Sequence, residues 1–308
     1  MSRTKQNAST TPFSDIDMTA WKEYEHVLTD SLWTLGRRDR TGAHTGDYHG
    51  NFVPQIPQQI IERFSKAGEW VIDPFSGSGT TLIEAQRLGR NCVGIELNPA
   101  MVKAAAERVA SEPNEEGVTI RNVCGDSTSE KTWNKATAVV AETAKTSAAG
   151  SVKRREASKR CRNGKESAAD AEISDQDSRA TFHLAILHPP YHDIIKFSDD
   201  ERCLSNRATT DEFLEGFQRV LELTYAHLAN GRFIAIVIGD KYADSEWIPL
   251  GFMCMQKAME VGFRLKSIVV KDMQDNRAKR NQENLWRVRA LRGGFYIFKH
   301  EYVLILKK

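Results

Sequence analysis

Apolar and polar positions change rhythm along this chain, and the rhythm predicts its elements. From Trp70 onward, short apolar runs alternate with stretches at helical spacing. The runs Trp70 to Ile72, Asn91 to Ile95, Val118 to Asn122, Leu184 to Leu187, Phe233 to Ile238, Phe263 to Val270 and Phe295 to Leu306 are bounded by turn residues and predict strands. Thr80 to Leu88, Pro99 to Ser111, Asp211 to Leu228 and Pro249 to Val261 predict helices between most of them. Strands alternating with helices pair in parallel through right-handed crossovers, so the expected fold is α/β, a doubly wound, mostly parallel seven-stranded sheet. No convincing helical period separates Val270 from Phe295, so the last two strands are expected to pair antiparallel at the sheet edge, the terminal strand among them. Upstream, Met18 to Leu35 follows helical spacing, and PQQIIERFSKAG from Pro57 predicts a helix that Gly68 stops.

The same rhythm sets the domain organisation. Residues 1–17 are polar and expected to be a flexible N-terminus, and residues 18–308 form one domain. Two segments break the pattern. Ser127 to Thr181 reads as a polar, basic insertion, and Lys271 to Gly294 as a basic loop carrying one large aromatic, Trp286.

Composition narrows the class without naming an activity. With 40% hydrophobic and 27% charged residues among 308, the chain is an ordinary globular one. No apolar run approaches the roughly 18 residues that cross a bilayer, and the first residues lack a signal-peptide core, so no membrane partner is expected and the expected address is the cytosol. Cys92, Cys124, Cys161, Cys203 and Cys254 are odd in number and contain no CxxC pair, which argues against a disulfide framework and against structural zinc. The formal net charge of +2 is too small to announce a nucleic-acid binder, so the placement of charge matters more than its sum.

Chemistry concentrates at the strand ends. VIDPFSGSGTTLIEAQRLG, residues 71–89, is a strand, then Asp73, a glycine turn and a helix opening at Thr80. Gly77 and Gly79 let the backbone bend and expose its amides to a ligand. The turn matches neither GxxxxGK[ST] nor GxGxxG, since Leu82 stands where the third glycine would be. Asp73 would repel a pyrophosphate but suits the ammonium of an amino acid. Glu96, closing the second of these strands, can accept from ribose hydroxyls, and Asp126, beside Ser127, can accept from an adenine amino group. Alone, each acid is as well explained as a helix cap or turn residue. Together beside a glycine turn they point to an adenosine-containing ligand.

The fourth of these strands ends in His188, Pro189, Pro190 and Tyr191. The two prolines impose an extended corner whose carbonyls can take hydrogen bonds from a substrate amine, and Tyr191 offers a ring to stack on a base. That combination suits methylation of an exocyclic amine through orientation and electrostatics, without a covalent intermediate.

DPFSGSGTT, GIELNP (Gly94 to Pro99) and HPPY resemble the motifs of the DNA amino-methyltransferases, the N6-adenine and N4-cytosine group. YHGNFVPQIP, Tyr48 to Pro57, resembles the segment that closes over the methionine end of their cofactor, and HEYVLILKK resembles their terminal hairpin. The resemblance covers roughly Tyr48 to Asp126 and Leu184 to Lys308. It implies the Rossmann-like class I methyltransferase fold and S-adenosylmethionine as cofactor, held by Phe52, Pro54, Asp73, Pro74, Phe75, Gly77, Ser78, Gly79, Thr80, Glu96, Leu97, Asn98, Asp126 and Ser127. It also implies a nucleic-acid substrate, DNA ahead of RNA, in a restriction or defence setting. His188 departs from the family's usual Asp, Asn or Ser. A neutral imidazole accepts through one nitrogen and an imidazolium through none, so activity is expected to fall in mild acid. His188 and His192 are not expected to bind a metal, for no carboxylate or cysteine completes a ligand spacing.

Substrate contacts are expected from Arg277, Lys279, Arg280, Trp286, Arg287 and Arg289, which interleave cations with a ring, and with less support from the Lys153 to Lys165 run. An RNA base methyltransferase of the same fold and a catalytically inactive binding subunit are the alternatives. All the functional readings require one arrangement: the glycine bend and the double-proline corner must open onto a single crevice.

Overall fold

The computed structural model describes residues 10–46, 50–159, 182–273 and 283–308. In chain order the elements are β1 (Leu32–Trp33), α1 (Gln55–Phe64), β2 (Trp70–Asp73), α2 (Thr80–Arg87), β3 (Asn91–Glu96), α3 (Pro99–Ala110), β4 (Ile120–Cys124), α4 (Glu130–Lys159), β5 (Phe182–Leu187), α5 (Thr210–His227), β6 (Leu228–Ile238), β7 (Lys241–Ala243), β8 (Glu246–Ile248), α6 (Leu250–Val261), β9 (Arg264–Asp272), α7 (Glu283–Gly293) and β10 (His300–Lys307). The seven expected strands lie in an eight-stranded sheet of order β1-β9-β10-β6-β5-β2-β3-β4, to which the two-residue β1 adds an edge, and β7 and β8 form a separate hairpin. Neighbours in the sheet run parallel except β10, which is antiparallel to both β6 and β9.

Sheet order positions the site. The chain winds from β2 outward through β3 to β4, then returns to lay β5 on the other flank of β2, pairing Val71 with Leu184 and Ile72 with Ala185. Ligands of doubly wound sheets bind where the winding reverses, beyond the strand carboxyl ends. Here that place lies between the ends of β2 and β5, the two strands that carry the glycine turn and the double proline. Apolar residues of β2, β5, β6 and β10 are buried on both faces, with α4, α5 and α6 over one face and α1 and α2 over the other.

Several expectations need correction. β10 is not at the edge but between β6 and β9; its run YVLIL is buried throughout, as in a strand covered on both faces. A helix, α7, does separate the last two strands. Its apolar Leu285, Val288 and Leu291 are exposed, so no core-facing period marks it. Met18 to Leu35 is not a helix: a single 3-10 turn, Trp21–Tyr24, precedes β1. The described part of the N-terminus, residues 10–17, is anchored rather than flexible, with the Phe13 ring 4.8 Å from Phe233 and Asp15 paired with Arg90 at 3.1 Å. Ser127 to Thr181 opens as core rather than as insertion, because Trp133 and Ala136 of α4 are fully buried and Trp133 stacks on His227. Tyr48, Cys161, Arg277, Lys279 and Arg280 lie outside the described residues, as does the Arg160 to Lys165 part of the first basic run. No helix among the described residues is long and apolar enough to cross a membrane.

Candidate active site

A crevice of about 370 Å³ opens at the carboxyl ends of β2, β3 and β5. Its walls hold Pro74, Phe75, Gly77 and Ser78 of the glycine turn, Glu96 and Leu97 after β3, Asp126 and Ser127 after β4, Phe52 before α1, and all four residues His188 to Tyr191. The two corners therefore share one opening, as the functional readings required.

The cofactor side is built largely from backbone. Gly77 and Gly79 adopt left-handed φ of 48° and 85°, which only glycine takes without strain, and Gly79 caps α2. A Cβ at Gly94 would meet Ser76 Cβ at 2.7 Å, so β3 and the turn can approach only because that carbon is missing. Glu96 ties the turn to its own strand end, its Oε2 accepting from Gly77 N at 3.0 Å and its Oε1 from Asn98 N at 2.8 Å. Each carboxylate oxygen has a second lone pair left for a hydroxyl. Burial raises the Glu96 pKa above its ordinary value. Asp126 uses Oδ1 for the amide and hydroxyl of Thr128, both at 2.8 Å, and Ser127 Oγ donates to Pro74 O at 2.7 Å, holding the two strand ends together.

Two buried donors beside the turn, Asn51 Nδ2 and Ser78 Oγ, have no hydrogen-bond partner. Orphaned donors are costly unless a ligand acceptor meets them. With unpartnered donors and the Glu96 carboxylate around the turn, the residues present fit the amino-acid carboxylate and the ribose of S-adenosylmethionine.

Five of the expected cofactor residues do not line the crevice: Pro54, Asp73, Gly79, Thr80 and Asn98. Pro54 and Gly79 cap helices, and Asn98 caps α3 by accepting from Ala100 N at 2.9 Å. Thr80 donates to Asn51 Oδ1. Asp73 is buried beneath the turn, where Oδ1 accepts from Phe75 N at 2.9 Å, and burial pushes its carboxyl up to about 7. It stabilises the bend and does not present a charge at the mouth.

The catalytic side is built from side chains. His188 faces the Phe52 ring at 4.7 Å and meets Tyr191 edge-on at 5.7 Å. Tyr191 donates its hydroxyl to Glu301 Oε2 at 2.8 Å, and Glu301 Oε1 accepts from Lys271 Nζ at 3.0 Å across the β9–β10 pair. Burial, then the Glu301 charge, raises the Tyr191 phenol well above its usual range, so it stays a donor. Burial pushes the His188 imidazole down to about 4. The ring is thus neutral through mild acid, and in place of the fall expected from an ordinary imidazole any acid limb due to His188 is expected near pH 4. His192 turns away into the protein, its Nε2 against Arg207 O at 2.8 Å and its Nδ1 3.2 Å from Lys241 Nζ.

Sequence reasoning misses Lys271 and Glu301 as site residues, because one stands at the start of an expected loop and the other inside an expected terminal hairpin. A signal exists: each is a charge inside a strand-like apolar run, VVKD and HEYVLILKK. Of the expected substrate contacts, Arg287 and Arg289 are exposed on α7, and the Arg289 guanidinium sits 5.3 Å from the Trp286 ring. None of the three lines the crevice, but the segment bearing them leaves β9 after the lining residue Met273 and returns at Glu301.

The "DNA methylase" family model matches residues 2–107, and the "RMKL-like, methyltransferase domain" model matches residues 64–199. Among curated proteins, Type II methyltransferase M.MjaII of Methanocaldococcus jannaschii is 38% identical over 88 residues, 25% of this chain and 16% of that protein. Type II methyltransferase M.XycI of Xanthomonas campestris is 37% identical over 82 residues, 27% of this chain and 26% of that protein. The matches thus span about a quarter or less of these relatives' length. Among solved structures, TrmN from Thermus thermophilus aligns with a TM-score of 0.46 and 15% identity over 83% of this chain and 49% of that one. Over these parts of its length the chain is similar to DNA methylases and to Type II methyltransferases.

Proposed function

We propose that this chain transfers a methyl group from S-adenosylmethionine to an exocyclic amino nitrogen of adenine or cytosine in DNA. One observation carries the reading: the glycine turn and the His188 corner wall the same crevice. When bound, S-adenosylmethionine supplies an electrophilic methyl on a sulfonium. Glu96, Asp126, Asn51 and Ser78 hold it, and Phe52 and Phe75 exclude water from the channel between the two sides. The amine of a base rotated out of the duplex donates its hydrogens to His188 and to the corner carbonyls, which turns its nitrogen lone pair toward the methyl. Trp286, Arg287 and Arg289, with Arg277, Lys279 and Arg280, hold flanking phosphates. The Type II relatives support a setting beside a restriction or defence system.

Incubating the purified chain with labelled S-adenosylmethionine and, separately, duplex DNA, single-stranded DNA and RNA, then digesting to nucleosides, tests this. Label is expected in N6-methyladenine or N4-methylcytosine from DNA. Label only in RNA would move the activity to RNA bases, and no label in any pool would overturn catalysis.

A further inference from the structure

The geometry points to Glu301 as the positioning residue that sets which nitrogen of His188 carries the proton, leaving Nδ1 as the acceptor for the target amine. The inference rests on the amine-methylation reading above.

Hydrogens can be counted along the chain of contacts. Glu301 carries a carboxylate, which can only accept. Its Oε1 takes a hydrogen from Lys271 Nζ at 3.0 Å and its Oε2 takes the single hydroxyl hydrogen of Tyr191 at 2.8 Å. With that hydrogen committed, the Tyr191 oxygen has only lone pairs to offer His188 Nε2, which lies 3.4 Å away. A favourable contact at that place needs an N–H on Nε2, so the neutral ring is the Nε2–H tautomer and Nδ1 keeps a bare lone pair. Among the described residues no group hydrogen-bonds Nδ1, and His188 lines the crevice. The contacts thus convert a carboxylate at the β10 end into an acceptor beside the bound base. Unlike a carboxylate or an amide, an imidazole can accept at a given place only after its tautomer has been chosen, and this network chooses it.

Glu301→Gln gives the sharp test because it is nearly isosteric. The Lys271 ammonium will take the amide oxygen, which turns the NH₂ toward Tyr191. Tyr191 must then accept from that amide and rotate its own hydrogen to His188, which reverses the tautomer. In full-length protein labelled with ¹⁵N-histidine, the His188 ring, assigned by its loss in His188→Asn, is expected to show a protonated Nε2 and a bare Nδ1 at neutral pH. Glu301→Gln should exchange these assignments, and Tyr191→Phe should average them. A wild-type ring protonated on Nδ1, or a tautomer that neither variant moves, overturns the proposal whatever the substrate proves to be.

Kinetics with labelled S-adenosylmethionine and DNA separate positioning from mere support. Glu301→Gln should lower kcat on the order of 100-fold with KM for DNA nearly unchanged, the scale of losing one preorganised hydrogen bond in a transition state. In a His188→Asn background, whose amide oxygen needs no tautomer, the same change should cost less than about threefold by the same reasoning. Equal losses in both backgrounds would make Glu301 a structural residue and overturn the assignment. Failure of wild-type protein to methylate DNA would instead sink the preceding reading, while the tautomer measurement would still decide this one.

Discussion

The two corners of the crevice are made in opposite ways. The bend after β2 is local: glycine conformations, backbone amides and the Glu96 carboxylate, all drawn from residues 73–98. The corner after β5 is non-local, since Tyr191 meets Glu301 110 positions away, and Lys271 reaches Glu301 across 30. The first corner stores its specificity in missing side chains, the second in how side chains are partnered. Damage to the first should therefore appear as lost cofactor binding and stability, and damage to the second as lost rate with the cofactor still bound.

The largest expected effect comes from closing the gap at the first corner. Gly94→Ala places a carbon 2.7 Å from Ser76 Cβ, so the turn must shift. Denaturant titration should show a loss of about 2 kcal/mol, typical of overpacking, and calorimetry a loss of S-adenosylmethionine affinity. Unaltered affinity would show that the turn is not the cofactor's seat. Next, His188→Ala should lower kcat on the order of 100-fold while the cofactor Kd stays within about twofold, because the change removes the proposed amine acceptor and leaves the cofactor side intact. A parallel loss of cofactor binding would erase the distinction between the corners. In the wild-type protein, the acid limb of kcat should not appear at the ordinary imidazole pKa, since burial holds His188 down to about 4.

A third, smaller effect concerns Asp73. Its folded pKa of about 7 stands above the ordinary 3.8, so between these values the folded chain binds a proton that the unfolded chain has released. Stability from this group is accordingly present at low pH and lost as pH rises toward 7. Asp73→Asn should be more stable than wild type at pH 7.5, with the difference shrinking as pH falls and vanishing below pH 3.8. Identical unfolding midpoints across that window would mean that Asp73 is ionised in place. Smallest is the double change Arg287→Ala and Arg289→Ala on exposed α7. DNA binding should weaken about equally for all sequences, and the slope of log K against log salt should fall by up to about 2. An unchanged slope would place the DNA elsewhere.

Much of this architecture is legible in the order of residues. Alternation of apolar runs with helical spacing marks β2 to β6 and α2, α3, α5 and α6 within a few residues, because strands and helices that bury one face announce their period. Expectations fail where burial is not periodic. α7 exposes Leu285, Val288 and Leu291, Met18 to Leu35 packs without becoming a helix, and Trp133 anchors α4 to the core from within a polar stretch.

At the site the same division holds. The glycine bend, the acids at successive strand ends and the double-proline corner are written into the primary structure, because each depends on residues adjacent in the chain and on backbone conformations that particular residue types adopt. Folding was needed to bury Asp73 under the turn, to slot β10 between β6 and β9, and to stand Glu301 and Lys271 behind Tyr191 and His188. Those facts depend on strand order and register, which bring distant residues within a hydrogen bond of one another and determine which charges leave water.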